Sequence, residues 1–266
     1  MRNDYKDAVS GFFNGRSNYR KSKLHAEMAE RFLLLAAPQP GERVLDIATG
    51  TGFVSIPCAS LVGEKGGVVG VDISPGMLEQ AAEDLEAAGL KNLELVEADA
   101  EKLDYPAESF DLITCCNALP YMSDVPRALS NWLELLRPGG RLVFNCWSED
   151  SHATGRLPRA VAARHGIAMP VAGWDTGTPE RCRTTLKMAG YSHIEVIVEP
   201  TIKYWSADKL SDVFEAALKG PLFGVSPADR DRMEALRTEY TALAQTADVL
   251  ESVKTEMGAY FVSATR

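Results

Sequence analysis

Between residues 44 and 147, short apolar runs alternate with helical patterns at near-regular spacing, and this order constrains the fold more than any other feature of the chain. Val44-Leu45-Asp46-Ile47 reads as a buried strand, Gly50-Thr51-Gly52 as a turn, and Phe53 to Leu61 as a helix whose Pro57 falls early enough to be tolerated. Val68 to Asp72 is a second strand. Ser74 as N-cap and Pro75 at the first helical position open the next helix. Asn92 to Ala98 and Phe110 to Cys116 are the third and fourth strands; Pro126 to Leu136 is helical, Arg137-Pro138-Gly139-Gly140 breaks it, and Arg141 to Trp147 is a fifth strand. Apolar strands separated by helices imply a parallel sheet covered on both faces.

The flanks extend this plan. The first 40 residues predict helices interrupted at Phe12 to Ser17, with His25 to Ala36 periodic through Met28, Phe32, Leu33 and Leu35 until Pro38-Gln39-Pro40-Gly41 stops it. Downstream, Thr178 to Ala189 is a helix closed by Gly190, and His193 to Val198 is a sixth strand. Ala207 to Leu218 and Pro227 to Leu250 are two helices, and Gly258 to Ala264 is the last strand. The stretches 148–177 and 201–256 do not fit the repeat and are expected to cap one edge of the sheet. Residues 1–266 thus predict one α/β domain, with 1–38 as a helical lid, 39–147 as the ligand-binding core, and 178–200 and 257–266 completing the sheet.

Composition excludes several classes. With 45% hydrophobic and 24% charged residues the chain is globular, and at 266 residues it can bury a core that needs no staples. Twenty-eight basic against 37 acidic residues give a net charge of −9, which argues against nucleic acid as a partner. Cys58, Cys115, Cys116, Cys146 and Cys182 are odd in number and irregular in spacing, as expected of reduced thiols in a cytoplasmic protein. Cys115 and Cys116 would point to opposite faces of a strand, so they make a poor metal clamp, and no metal site is expected. No stretch approaches the ~18 apolar residues of a transmembrane helix. The sequence leaves oligomeric state open, a homodimer included.

Open parallel sheets bind ligands beyond the carboxyl ends of their strands, where strand order reverses. The polar residues at those ends form a set: Asp46 and the turn to Gly52, then Asp72, then Asp99-Ala100, then Asn117. The glycines allow a sharp turn and close approach of a ligand. Asp72, twenty residues past Gly52, can accept two hydrogen bonds from vicinal ribose hydroxyls. A nicotinamide-dependent oxidoreductase shares the turn and the later acid. It does not explain Asp46, and Ser55 stands where its third glycine would be.

VLDIATGTG, VVGVDISPGML, VEADAEKLDYPAESFDLITCCNAL and LRPGGRLV resemble the successive motifs of class I S-adenosylmethionine-dependent methyltransferases, over about residues 40–147. The pattern is most similar to the small-molecule branch, which includes ubiquinone/menaquinone-biosynthesis C-methyltransferases and natural-product methyltransferases. The resemblance implies a Rossmann-like seven-stranded, mostly parallel sheet whose last strand runs antiparallel, with helical N-terminal and C-terminal caps. It implies S-adenosylmethionine (SAM) as cofactor and a small-molecule acceptor methylated on oxygen, nitrogen or carbon. On that resemblance Asp46, Ala48, Thr49, Gly50 and Gly52 face the methionine part and Asp72 holds the ribose. Ile73 and Met77 flank the adenine, Asp99 accepts from the adenine amino group beside the Ala100 amide, and Asn117 closes the sulfonium side. Tyr19 stands where members of this branch place an aromatic lid residue. Ala48 departs from the glycine often found there. A non-catalytic SAM-binding protein is the remaining alternative, since retention of a ligand does not prove turnover.

Residues after the fourth and fifth strands should face the acceptor. Tyr121 could orient or deprotonate it, and His152 is the best-placed histidine for general-base work. Glu149 and Asp150 read as surface acids, His25, His165 and His193 as structural or exposed, and Arg181 and Arg183 as a solvated helix face. Phe12, Phe13 and Tyr19 could fold over the site. Trp174, Tyr204, Trp205, Phe214, Leu222 and Phe223 could supply an apolar acceptor pocket. Asn117 to Tyr121 has one residue too many, and one proline too few, for the Asn-Pro-Pro-Tyr loop of methyltransferases acting on amino groups of nucleic acids or protein glutamine.

Overall fold

The computed structural model describes residues 2–149, 156–167, 174–200, 210, 214, 230–255 and 257–266. Helix α1 (Arg2–Asn14) and helix α2 (Lys23–Ala36) precede an alternation of β1 (Arg43–Ile47), α3 (Ser55–Val62), β2 (Gly67–Asp72), α4 (Pro75–Ala88), β3 (Leu93–Glu97), β4 (Phe110–Cys115), α5 (Val125–Leu135) and β5 (Leu136–Trp147). Helix α6 (Arg156–Arg164), α7 (Pro179–Ala189), β6 (Ser192–Pro200), two helices over Arg230–Ala244 and Ala247–Thr255, and β7 (Met257–Thr265) follow. The sheet has seven strands in the order β3-β2-β1-β4-β5-β7-β6. The first five pair in parallel, and β7 lies antiparallel between β5 and β6. Strand order reverses between β1 and β4, which makes that crevice the expected ligand site.

Local chemistry explains the element boundaries. The Ser74 hydroxyl caps α4 by accepting from Met77 N, Asp124 caps α5 from Arg127 N, and Thr178 caps α7 from Arg181 N. Each of these helices carries proline at its start, where no intrahelical donor is lost. Period-two alternation then sends the strands into two cores. Leu45, Ile47, Ile113 and Phe144 join Trp132 and Leu129 of α5 on one face; Val44, Leu112, Val143 and Phe261 join Phe32 of α2 and Cys58 of α3 on the other. Cys115 and Cys116 part to opposite faces, as alternation requires. Leu157, Val161, Phe214, Leu236 and Tyr240 form a third, smaller cluster, in which the rings of Phe214 and Tyr240 stack at 3.8 Å.

Three expectations need correction. Helix α1 runs through Phe12-Phe13-Asn14, and the break falls after them. The segment 137–140 lies within β5 as an irregularity: Leu136 pairs with Phe110, then the register shifts before Arg141 meets Leu112. Gly140 permits this, because a Cβ there would lie 2.9 Å from Arg137 O and 3.1 Å from Asp111 O. The helix expected over 227–250 is interrupted at Gln245-Thr246, where the Thr246 hydroxyl donates to Leu243 O at 2.8 Å. Phe214, one of six residues that could have supplied an acceptor pocket, is core, as most aromatics at helical spacing are. Tyr204, Trp205, Leu222, Phe223, Asp150 and His152 lie outside the described residues. Among the described residues, no helix is long and apolar enough to cross a membrane.

Trp132 links core to crevice. It is fully buried and its Nε1–H donates to Ala100 O at 2.9 Å, fixing the loop after β3. Trp132→Phe leaves that carbonyl unpaired and a void beside it. It is expected to lower stability by about 2–3 kcal/mol, read from the urea midpoint.

Candidate functional site

The loop after β1 is built on left-handed backbone. Ala48, Gly50 and Gly52 have φ of +52°, +57° and +85°. Alanine at 48 therefore carries a strain that glycine would not, which explains why glycine suits that position. Thr49 N donates to Val71 O at 2.9 Å, extending the β1–β2 ladder past the strand end. Gly50 N donates to Asp72 Oδ2 at 2.8 Å and Ser74 N to Asp72 Oδ1 at 2.9 Å. One carboxylate thus joins the glycine loop to the start of α4. Burial raises the Asp72 carboxyl above its usual range, against the pull of the Ser74 and Gly50 amides. Each oxygen accepts one of these bonds and can accept another.

Two cavities meet at this loop. The larger spans about 670 Å³, part of it open to solvent, and is lined by Asp72, Ile73, Met77, Asp99 and Ala100, roofed by Lys6, Val9 and Phe13 of α1, and bounded by Tyr121 and Met122. The smaller, about 360 Å³, lies toward α2 and is lined by Asp46, Thr49, His25, Phe53 and Val54. Tyr19, Ala48, Gly50, Cys116 and Asn117 line both. Of the residues expected to bind the cofactor, all of them among the described residues, only Gly52 lines neither. Its missing side chain serves packing, because a Cβ would fall 2.6 Å from Ile56 Cδ1.

Asp46 is buried in the smaller cavity's floor. Its Oδ1 accepts from Thr114 Oγ1 at 2.7 Å, while Oδ2 has no hydrogen-bond partner among the described residues. Burial pushes its carboxyl up to about 6, against the Thr114 hydrogen bond. Asn117, at φ +57° after β4, is held by the fully buried Asn145. Asn117 N donates to Asn145 Oδ1 and Asn145 Nδ2 donates to Asn117 Oδ1, both at 2.7 Å. Asp99 pairs with Lys6 Nζ at 3.2 Å, and its Oδ1 accepts from Glu101 N at 3.1 Å.

Aromatic rings wall the junction. Phe13 meets Tyr121 edge-on at 5.1 Å and Tyr19 at 6.4 Å, while Arg16 sits over Tyr19 at 4.8 Å from the ring centre. Phe12 lines neither cavity. Burial pushes the Tyr121 hydroxyl up to about 12, so it is a hydrogen-bond donor and not a base near neutral pH. His25, expected to be structural or exposed, instead lines the smaller cavity with its ring 4.3 Å from that of Tyr19. Arg181 and Glu149, expected as solvated charges, form a two-pronged ion pair, and the guanidinium stacks on Trp174 at 3.8 Å. Lys6, Asn145 and His25 carried no local signal. Each reaches the site by packing between elements distant in sequence.

The carboxyl of Asp46 gives a pH signature. A folded value near 6 against an ordinary 3.8 means that the fold favours the protonated form. The associated stability is present below pH ~4 and is lost as pH rises through ~6, where ionised Asp46 costs about 3 kcal/mol. Asp46→Asn is expected to raise Tm at pH 8 by several degrees, at roughly 2–4 °C per kcal/mol. That gain should vanish near pH 4; an equal gain at both pH values would contradict the assignment.

Residues 44–140 match the family model described as a methyltransferase domain. The chain is 30% identical over 187 residues to nocamycin O-methyltransferase of Saccharothrix syringae, covering 65% of this chain and 67% of that protein. It is 37% identical over 141 residues to aklanonic acid methyltransferase DauC of Streptomyces sp. (strain C5), covering 52% of this chain and 64% of that protein. Against ubiquinone/menaquinone biosynthesis C-methyltransferase UbiE of Azotobacter vinelandii (strain DJ / ATCC BAA-1303) identity is 39% over 146 residues, covering 54% and 57%. The chain thus spans somewhat under two thirds of DauC and UbiE. In fold it is similar to a SAM-dependent methyltransferase from Aquifex aeolicus, with a TM-score of 0.54 and 22% identity over 70% of this chain and 92% of that one. By its matched domain and these relatives, the chain belongs to the class I SAM-dependent methyltransferases of the small-molecule branch.

Proposed function

We propose that this chain transfers a methyl group from SAM to a small, partly apolar metabolite of secondary or quinone-type metabolism. The observation that carries the reading is the pair of cavities at the sheet's switch point, joined at Gly50 and Asn117, each with one buried carboxylate. These residues fit an adenosyl amino acid. Asp72 has spare acceptor capacity for two ribose hydroxyls, Ile73 and Met77 offer apolar walls to a base, and Asp46 Oδ2 lacks the donor that an ammonium would provide. Gly50 has open space where a side chain would stand: its nearest neighbour would be Ala48 O at 4.0 Å.

When bound, SAM supplies an electrophilic methyl carried on a positively charged sulfur. The chain's residues hold, align and dry the reacting pair. Asp72 and Asp46 fix the donor at two points, and Asn117, oriented by Asn145, closes the junction between them. Asp99, paired with Lys6, and the Ala100 amide bound the far edge of the larger cavity. Phe13, Tyr19 and Tyr121 keep water from the junction, and the Tyr121 hydroxyl orients the acceptor by donating a hydrogen bond. Alignment and exclusion of water can supply several orders of magnitude in rate without a strong base. His152 remains our proposed base for an acceptor that must lose a proton. On this reading 39–147 is the donor-binding core, 1–38 covers it, and 148–177 and 201–256 shape the acceptor side. The names of the relatives support oxygen or carbon as the methylated atom. The chain's charge of −9 favours a small-molecule partner over nucleic acid.

Titration with S-adenosylhomocysteine tests this assignment. Asp72→Ala is expected to weaken binding by about 1.5–3 kcal/mol, the range for hydrogen bonds to a charged group. Gly50→Val should abolish binding with the circular dichroism spectrum intact, because its side chain fills the junction. Wild-type affinity in either variant would refute the placement, and no methyl transfer to any phenolic or quinone-type acceptor would leave a binding protein only.

A further inference from the structure

The smaller cavity contains a histidine that the reading above does not use. Four of its lining side chains are ionisable: Asp46, Tyr19, Cys116 and His25. Burial holds the Tyr19 and Cys116 protons on, so both are neutral near pH 7. Asp46 lies in the cavity's floor with Oδ2 unpartnered. His25 belongs to the first turn of α2, and its ring is fixed twice: Nδ1 lies 2.6 Å from Ser22 Oγ, and its face lies 4.3 Å from the Tyr19 ring. A Ser22 hydroxyl that donates to Nδ1 leaves the ring proton on Nε2, which has no hydrogen-bond partner among the described residues.

A zwitterionic α-amino-acid head group needs one anion for its ammonium and one or more donors for its carboxylate. Asp46 meets the first need. Thr49 Oγ1 shares a 2.5 Å hydrogen bond with Ser55 Oγ, and one Asn117 Nδ2 hydrogen faces Cys116 Sγ at 3.6 Å, so each is partly engaged, whereas His25 Nε2 makes no hydrogen bond among the described residues. Tyr19 stands at the junction of the two cavities, whereas His25 lines the smaller one alone. We propose that His25 is a binding residue that donates from Nε2 to the carboxylate of the donor's amino-acid head group, opposite Asp46. This rests on the smaller cavity holding the methionine part of SAM. It assigns His25 no part in removing a proton from the acceptor. Burial and the nearby Arg16 hold its imidazolium form down to about pH 4, so it acts as a neutral donor.

Two ligands separate this role from the others. S-adenosylhomocysteine carries the amino-acid head group and 5′-methylthioadenosine lacks it. By calorimetry, His25→Ala should weaken S-adenosylhomocysteine about tenfold or more, the loss expected for a hydrogen bond to a charged group. The affinity for methylthioadenosine should stay within about twofold, since that ligand makes no such bond. His25→Gln, which places an amide N–H near the position of Nε2, should recover part of the loss. It also serves if the alanine variant fails to fold. An equal loss for both ligands, or none for either, overturns the proposal. Retained S-adenosylhomocysteine affinity with lost turnover would place His25 on the acceptor instead. If the wild-type protein binds neither ligand, the donor site itself is wrong, a result distinct from failure at His25 alone.

Discussion

The site depends on one buried carboxylate with a backbone donor on each oxygen. Asp72 receives Gly50 N from the loop after β1 and Ser74 N from the cap of α4, and it is only 8% exposed. A charge buried this far is tolerated only where hydrogen bonds replace water. Its two partners come from separate strand–helix junctions, so it fixes their relative position. The β1–β2 ladder, which continues past the strand end through Thr49 N to Val71 O, fixes Asp72 in turn. The cleft thus takes its precision from the sheet, and the loop contributes little flexibility of its own.

That dependence explains what could be read from the sequence. The strands, the left-handed turn and the acid after β2 have local causes: apolar runs, glycines at positive φ, and a cap with proline behind it. Each shows within ten residues of chain. The roles of Lys6, His25 and Asn145 do not. Lys6 meets Asp99 because α1 lies across the end of β3, and Asn145 meets Asn117 because β4 and β5 are neighbours. His25 is indistinguishable in sequence from any histidine in the first turn of a helix, and only its packing against Tyr19 turns it toward a cavity. Arg181 misleads in the same way: a charge on an amphipathic helix reads as solvated until Glu149 and Trp174 arrive from elsewhere in the chain.

Helix α1 roofs the larger cavity without belonging to either of the two sheet cores. Val9 is its buried apolar residue, and polar contacts do much of the holding. Ser10 Oγ donates to Ile73 O at 3.0 Å, Asn14 Oδ1 accepts from Ser74 Oγ at 2.7 Å and from Gly76 N at 3.0 Å, and Lys6 pairs with Asp99 and Glu101. Each such contact contributes on the order of 1 kcal/mol net, against several for each large side chain in a core helix such as α5. An element attached this way detaches at far lower cost than one whose loss opens the core. The same contacts end on Ile73, Ser74 and Asp99, so the roof is anchored to residues at the rim of the space it covers.

The rim as a whole is costly for the fold. Asp46, Thr49, Ser55, Thr114 and Asn145 are all buried at or beside the carboxyl ends of β1, β4 and β5, where apolar side chains would pack with less penalty. Most of these groups satisfy one another: Thr49 with Ser55, Thr114 with Asp46, Asn145 with Asn117. Asp46 Oδ2 is left over, as is Thr51 Oγ1 on the neighbouring turn, and Asp46 lies in the floor of the cavity shared with His25. A network selected only for stability would close on itself, since a buried acceptor without a donor costs about 1–3 kcal/mol. At Asp46 the gap in the network falls where a ligand can fill it, and the two apolar cores on either face of the sheet offset the expense. The unsatisfied Asp46 oxygen is therefore better understood as half of a binding contact than as a defect of packing.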